Sequence, residues 1–231
     1  MKKLYLHYFA LVVLATMLFS CSKDDQTQPK SISSNIMAAT ESTASFPLQS
    51  IDTISRWYLA TAKIELKKYL REDGNQNVVY FNSIGNNTLK IDFNMGVTPL
   101  NSLGYWWGKT PYVECFNPIF IMAQKEGNLN MHLSKKVNLF GFELSTQAGS
   151  AFEITISYYD SSTGRKVGTL VKRVFTSHGG NKTPDDTSRM FAVNSTVPFD
   201  EVHITMTKTF NPAFTSPGKY QLANFHYVLA K

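Results

Sequence analysis

The sequence is poor in cysteine. Cys21 and Cys115 are the only two among 231 residues, so no disulfide framework holds the fold, and stability must come from a hydrophobic core. Charge is sparse too, at 17% of residues with a formal net charge of +6. A modest excess without a run of Lys and Arg gives no case for nucleic acid. Catalytic signatures are absent: there is no Gly-x-Ser-x-Gly elbow and no His-Glu-x-x-His helix. No repeat of fixed period marks a propeller or solenoid. Long apolar runs are limited to one, Leu4 to Ser20, at the short edge of the roughly 20 residues that cross a bilayer. Lys2 and Lys3 precede it. A positive start, a short apolar stretch and a small residue before a cut form the pattern of a secretory signal peptide over residues 1–20.

The end of that run is more specific. Leu18-Phe19-Ser20-Cys21 resembles the lipobox of bacterial lipoproteins, in which the chain is cut before the cysteine and the new terminus is acylated. Phe19 departs from the small or aliphatic residue usual there, a departure common in lipoproteins of the Bacteroidetes type. Ser22-Lys23-Asp24-Asp25 resembles the acidic signal that sends such lipoproteins to the outer face of the outer membrane. The resemblance implies lipidation at Cys21, an outer-membrane location and surface display. Several acyl chains are needed, because each buried CH₂ contributes only about 0.8 kcal/mol. Loss of Lys2 and Lys3 with the leader takes the formal charge of +6 to about +4. Cys115 is then left alone and reads as a buried small hydrophobe. Residues 21–50, rich in Ser, Thr, Ala, Gln and Asn, read as the lipidated cysteine and a flexible tether.

The remaining residues, 51–231, suffice for one domain with its own core. From Asp52 to Leu70 the apolar positions Ile54, Trp57, Tyr58, Ala62, Leu66, Tyr69 and Leu70 have helical spacing, with Asp52 or Ser50 as its cap and Gly74 beyond its end. A strand through Arg56–Leu66 competes with that helix. After Asn77 the period becomes two. Leu89, Ile91, Phe93 and Met95 alternate with polar residues, as do Phe152, Ile154, Ile156 and Tyr158. The same holds for Val202, Ile204 and Met206, and for Ala223, Phe225, Tyr227 and Leu229. One apolar face per strand, separated by turns such as Asp160-Ser161-Ser162-Thr163-Gly164, describes antiparallel sheets packed as a sandwich.

The stretches SKKVNLFGFELST, AFEITISYYD, RMFAVNSTVPFDEVHITM and YQLANFHYVLAK resemble a jelly-roll sandwich found in many exported bacterial proteins. Gly141 matches the glycine of its Phe-Gly-Phe strand and Asn224 the asparagine of its closing strand. Ala223 stands where that family has aspartate and Ala192 where it has glycine. The resemblance implies a mainly β fold, an antiparallel jelly-roll-like sandwich with one amino-terminal helix, and export. It implies no reaction.

Candidate chemistry is thin. His132, His178, His203 and His226 are scattered without metal-ligand spacing. His203 and His226 fall on the polar phase of their strands, which places them on a solvated face. Glu114, Glu143 and Glu153 are the acids from which a glycosidase pair would be drawn, and sequence does not bring two of them together. Two segments remain. Gly104 to Tyr112 crowds Tyr105, Trp106, Trp107 and Tyr112 into a few residues. Such rings either form a platform for a sugar face or seal one end of the core. Ser177 to Ser188 is a polar connection carrying Asp185 and Asp186, weak candidates for a cation without a recognisable spacing. No cofactor is called for. The expected function is non-catalytic binding at the cell surface with a glycan as ligand. A structural or adhesive protein that contacts other proteins, or a divergent glycan-processing enzyme, are the alternatives.

Overall fold

The structure, a computed structural model, describes residues 48–70, 80–101, 113–114, 118–146, 151–175, 188–210 and 218–231. Ten strands occur among them: β1 (Leu48–Ile51), β2 (Ala62–Ile64), β3 (Phe81–Gly85), β4 (Lys90–Asn101) and β5 (Ile119–Ala123), then β6 (Leu129–Thr146), β7 (Ala151–Asp160), β8 (Arg165–Phe175), β9 (Arg189–Thr209) and β10 (Tyr220–Leu229). Their pairings are all antiparallel. The mainly β expectation holds.

Two long strands organise the sheet. The first part of β6 pairs with β4, Ile91 opposite Leu133, and its later part pairs with β10, Phe140 opposite Tyr227. β9 lies along the other edge of β6 throughout, and the register shifts between His132 and Val137. It shifts again between Val137 and Leu139, and there the inward residues change from odd numbers (Leu129, Met131, Leu133, Val137) to even ones (Phe140, Phe142, Leu144), all within one buried cluster. A bulge of this kind bends and twists a strand. The sheet therefore folds over, and both of its parts feed one core: β4, β7 and the end of β9 on one side, β10 and the start of β9 on the other. Phe140, Phe142, Phe152, Ile154, Ile156, Ile204 and Phe225 are all fully buried there, on the faces that alternation assigns them. The Asp160–Gly164 turn also forms as expected. The Asp160 carboxylate accepts from the Ser162 N–H and hydroxyl, and Gly164 takes φ +68°.

The amino-terminal helix is not the long one expected. Only one turn forms, α1 (Arg56–Leu59), followed by β2 and a 3₁₀ turn, Lys67–Tyr69. Its cap is Ser55, whose hydroxyl accepts from the Tyr58 N–H at 3.2 Å, rather than Asp52 or Ser50. Asp52 instead meets Lys172 at 2.8 Å. The physical reason lies at the far end of the chain: Ala62–Ile64 completes the edge of β10, with Ile64 opposite Phe225. A tertiary ladder of this sort outweighs a weak local helical preference. Trp57 and Ala62, placed by the helical spacing on the apolar face, are exposed. β1, Leu48–Ile51, begins inside the stretch expected to be tether and pairs with β9.

β10 carries one irregularity. Between Ala223 and His226 its register against β6 slips, and Asn224 adopts φ +51°. Asn is among the few side chains that tolerate this left-handed region. The slip reverses the facing of the strand, so that Leu222 faces the core before it and Phe225 and Tyr227 after it, while Ala223 joins a separate cluster with Val113 and Phe120. A strict alternation from Ala223 to Leu229 is therefore broken at its first step.

Candidate functional site

The outer face of β10, opposite the core, carries a covered polar cluster. Its floor begins with Gly141 on β6, flanked in register by His226 on β10 and Ala192 on β9. A side chain at Gly141 would collide with the Tyr58 hydroxyl and with Cβ of Ala192, at 2.5 Å. The missing side chain leaves a slot that Tyr58 of α1 fills. Its ring lies 4.6 Å from that of His226, centroid to centroid.

His226 is only 1% exposed, so its placement on a solvated face is corrected: α1 and Glu114 cover it. Nε2 meets Glu114 Oε2 at 3.0 Å and Nδ1 meets Thr61 Oγ1 at 3.1 Å. Thr61 has one hydroxyl proton and donates it to the Tyr58 carbonyl at 2.7 Å. On the other side of the ring the Glu114 carboxylate accepts from Nε2–H.

Glu114 is the hub. Its Oε1 accepts from Lys63 at 2.6 Å, and its own N–H donates to Glu143 Oε1. Burial alone would raise its carboxyl, but hydrogen bonds from His226 and Lys63 outweigh burial and hold it below the ordinary carboxylate value. Burial, with the negative charges of Glu143 and Glu114 nearby, pushes the Tyr58 phenol well above its usual value. The cluster thus sets the Lys63 ammonium and the His226 imidazole against two acids, Glu114 and Glu143. Buried charges persist when they are paired and hydrogen-bonded in this way. Lys63 and Glu114 keep 27% and 21% of their side-chain surface open, and form the accessible rim. On α1 beside Tyr58, Trp57 is 55% exposed.

Of the three acids drawn from the sequence, Glu114 and Glu143 come together. Glu153 stands apart on β7, opposite Arg173 and Lys208. His203 is half-exposed and bonds Glu201 at 2.8 Å, as a strand-surface residue does. Among the described residues no group of three or more His, Cys, Asp or Glu is arranged to hold a metal. Cys21, Tyr105, Trp106, Trp107, Tyr112, Cys115, His178, Asp185 and Asp186 lie outside the described residues. Lys63, Thr61, Tyr58 and Trp57 were missed as site residues because the helical pattern absorbed them.

No family model and no curated protein matches the chain. Several solved structures are weakly similar. One is a family 11 carbohydrate-binding module from Clostridium thermocellum in complex with a β-1,3-1,4-mixed-linked tetrasaccharide. It shows 16% identity and a TM-score of 0.31, over 74% of this chain and 98% of that one. An arabinose-bound family 51 α-L-arabinofuranosidase shows 10% identity and a TM-score of 0.30 over 63% of this chain. A family 43 arabinoxylan arabinofuranohydrolase from Bacillus subtilis shows 14% identity and a TM-score of 0.26 over 58%. The chain spans only 22% and 25% of those two enzymes.

Proposed function

We propose that the chain is a surface lipoprotein whose jelly-roll-like domain is a non-catalytic binding module for a glycan. The observation that carries this is the rim of the outer-face cluster: Lys63 and Glu114, half-buried and held in place by His226, Thr61 and Glu143, with an exposed indole at Trp57 on the adjoining turn. Fixed charged donors and acceptors suit sugar hydroxyls, and an exposed aromatic face suits the apolar face of a sugar ring. Tyr105, Trp106, Trp107 and Tyr112, the aromatic residues singled out in the sequence, are the further candidates for ring contacts. A non-catalytic role is supported by Glu114 itself. A glycosidase needs one carboxyl raised so that it stays protonated as the acid, whereas Glu114 is held low by its hydrogen bonds from His226 and Lys63.

Polysaccharide pull-downs and thermal melts test the binding. The wild type is expected to be retained by at least one insoluble glycan. Trp57→Ala and Trp107→Ala should each weaken retention roughly tenfold, the equivalent of about 1.4 kcal/mol, with melting temperatures within a few degrees of wild type. No retention of the wild type, together with early melting of the Trp106→Ala and Trp107→Ala variants, would replace the glycan by a protein-contacting, structural role.

The anchor is tested separately. Labelled palmitate should enter the wild-type chain and not Cys21→Ser, which should leave the membrane fraction. A wild type that takes up no label refutes the lipobox.

A further inference from the structure

β7 and its two neighbours present a second outer face. Phe152, Ile154, Ile156 and Tyr158 are buried in the core, so the alternate residues of β7 point away from it. Register sets the β8 and β9 residues beside them in rows. Arg173 and Lys208 flank Glu153 at one end, and Lys166 and Glu201 flank Tyr159 at the other. Six residues of strand separate these end rows, a span of about 20 Å.

Each end holds cations against an aromatic ring. The Arg173 guanidinium lies 4.3 Å and Lys208 Nζ 4.9 Å from the centroid of Phe210, a ring 41% exposed. Lys166 Nζ lies 6.0 Å from the centroid of Tyr159. All three cations are exposed, and among the described residues none of them forms an ion pair. The acids of the end rows are engaged with other groups: Glu153 accepts from the Thr207 hydroxyl at 3.1 Å, and Glu201 meets His203 at 2.8 Å. A ring steadies a long basic side chain without neutralising it, so these charges stay available to an anion. Beside Lys166, where β8 ends the strand order, a cavity of about 560 Å³ opens against Leu48, Gly168 and Thr169. Small-molecule sites run to about 300–1,000 Å³.

Between the ends the face is uncharged. Thr155 and Thr205 share one row with Val171, and Thr169 stands in the next. The matching occupant is elongated, negatively charged and rich in hydroxyls. An acidic peptide would bind through its backbone along a strand edge, not across a face covered by side chains. Duplex nucleic acid carries about one charge per 1.7 Å, far denser than the cations here.

We infer that this face binds an acidic polysaccharide, with carboxylate or sulfate groups on Arg173 and Lys208 at one end and on Lys166 at the other, hydroxyls on Thr155, Thr169 and Thr205 between them, and one sugar unit in the cavity beside Lys166. The surface is separate from the Lys63–Glu114 rim. Its ligand class rests on the glycan assignment and adds the charge to it.

The test is a titration of the full chain, at physiological salt, with polygalacturonate, dextran sulfate, neutral dextran and polyglutamate. The same series is run on Arg173→Gln/Lys208→Gln, on Lys166→Gln and on Lys67→Gln, an exposed lysine of the 3₁₀ turn beyond β2. Polygalacturonate or dextran sulfate should bind the wild type at least tenfold more tightly than dextran or polyglutamate, and which of the two binds identifies the anionic group. The double variant should lose at least tenfold and Lys166→Gln several-fold, with melting temperatures within a few degrees of wild type, while Lys67→Gln binds as wild type. Equal weakening by Lys67→Gln would reduce the effect to overall charge and overturn the surface. Polyglutamate bound as tightly as the polysaccharides would overturn it in favour of an acidic protein segment. No acidic polysaccharide bound, with Trp57-dependent retention in the pull-down intact, would remove this surface and leave the glycan assignment standing. Failure of every polysaccharide in both experiments would remove both.

Discussion

Phe142→Ala is expected to lower stability by about 3–5 kcal/mol, the range for a buried aromatic reduced to a methyl. Phe142 is fully buried and sits among Phe140, Phe191 and Phe225, with centroid separations of 5.7, 6.3 and 5.8 Å. Its loss removes the apolar area of one ring and opens a cavity that three other rings must share. Those rings come from β6, β9 and β10, each held by its ladder on both sides, so the site relaxes little. That stiffness places the cost at the upper end. Phe152→Ala, on β7 at the other part of the sheet, should cost a similar amount. Urea denaturation of both variants gives the number directly. Two midpoints near wild type would mean that these rings do not form the core.

Gly141→Val should be nearly as damaging for the opposite reason. The added Cβ would run into the Tyr58 hydroxyl and into Ala192 across the ladder. Ala192 is part of a paired strand and cannot give way, so Tyr58 must leave its slot. Overpacking alone costs about 1–3 kcal/mol, and the expelled phenol, now only 2% exposed, adds its lost burial. The variant should melt well below wild type and lose glycan retention, because the turn that carries Tyr58 also carries Trp57. Gly141→Ala should fall between the two. A valine variant that melts and binds as wild type would show that Tyr58 does not depend on the slot.

The sequence made the core legible where one face of a strand is wet. In β7, Phe152, Ile154, Ile156 and Tyr158 are buried and Glu153 and Thr155 only half-buried, as alternation requires. It failed where a strand is covered on both faces. All of Leu139–Thr146 and Leu222–Tyr227 are buried, so the polar phase of those strands holds His226 and Glu143 rather than solvent-facing residues. The cover comes from Tyr58 and Glu114, far away along the chain, and periodicity is blind to it. The failed helix has the same origin. Ile54, Tyr58 and Leu66 do bury at least in part, but the partner that makes Ala62–Ile64 a strand is β10. Of the candidate site, Glu114 and Glu143 could be named from sequence, while their meeting could not.

The layout of β10 also bears on how the chain acquires its fold. This last strand serves β2 and β5 on one edge and β6 on the other. Ile64 has no ladder until Phe225 arrives, and Thr61 and Lys63 have no His226 beside them. Closure of loops that long is costly and gives little return until the final strand docks, which slows folding. A chain lacking β10 would not be a slightly shortened protein. It would expose one side of β6 and the flanks of β2 and β5 together, and sheet edges of that kind recruit other chains. For this topology, the competing processes of folding and aggregation are decided at β10.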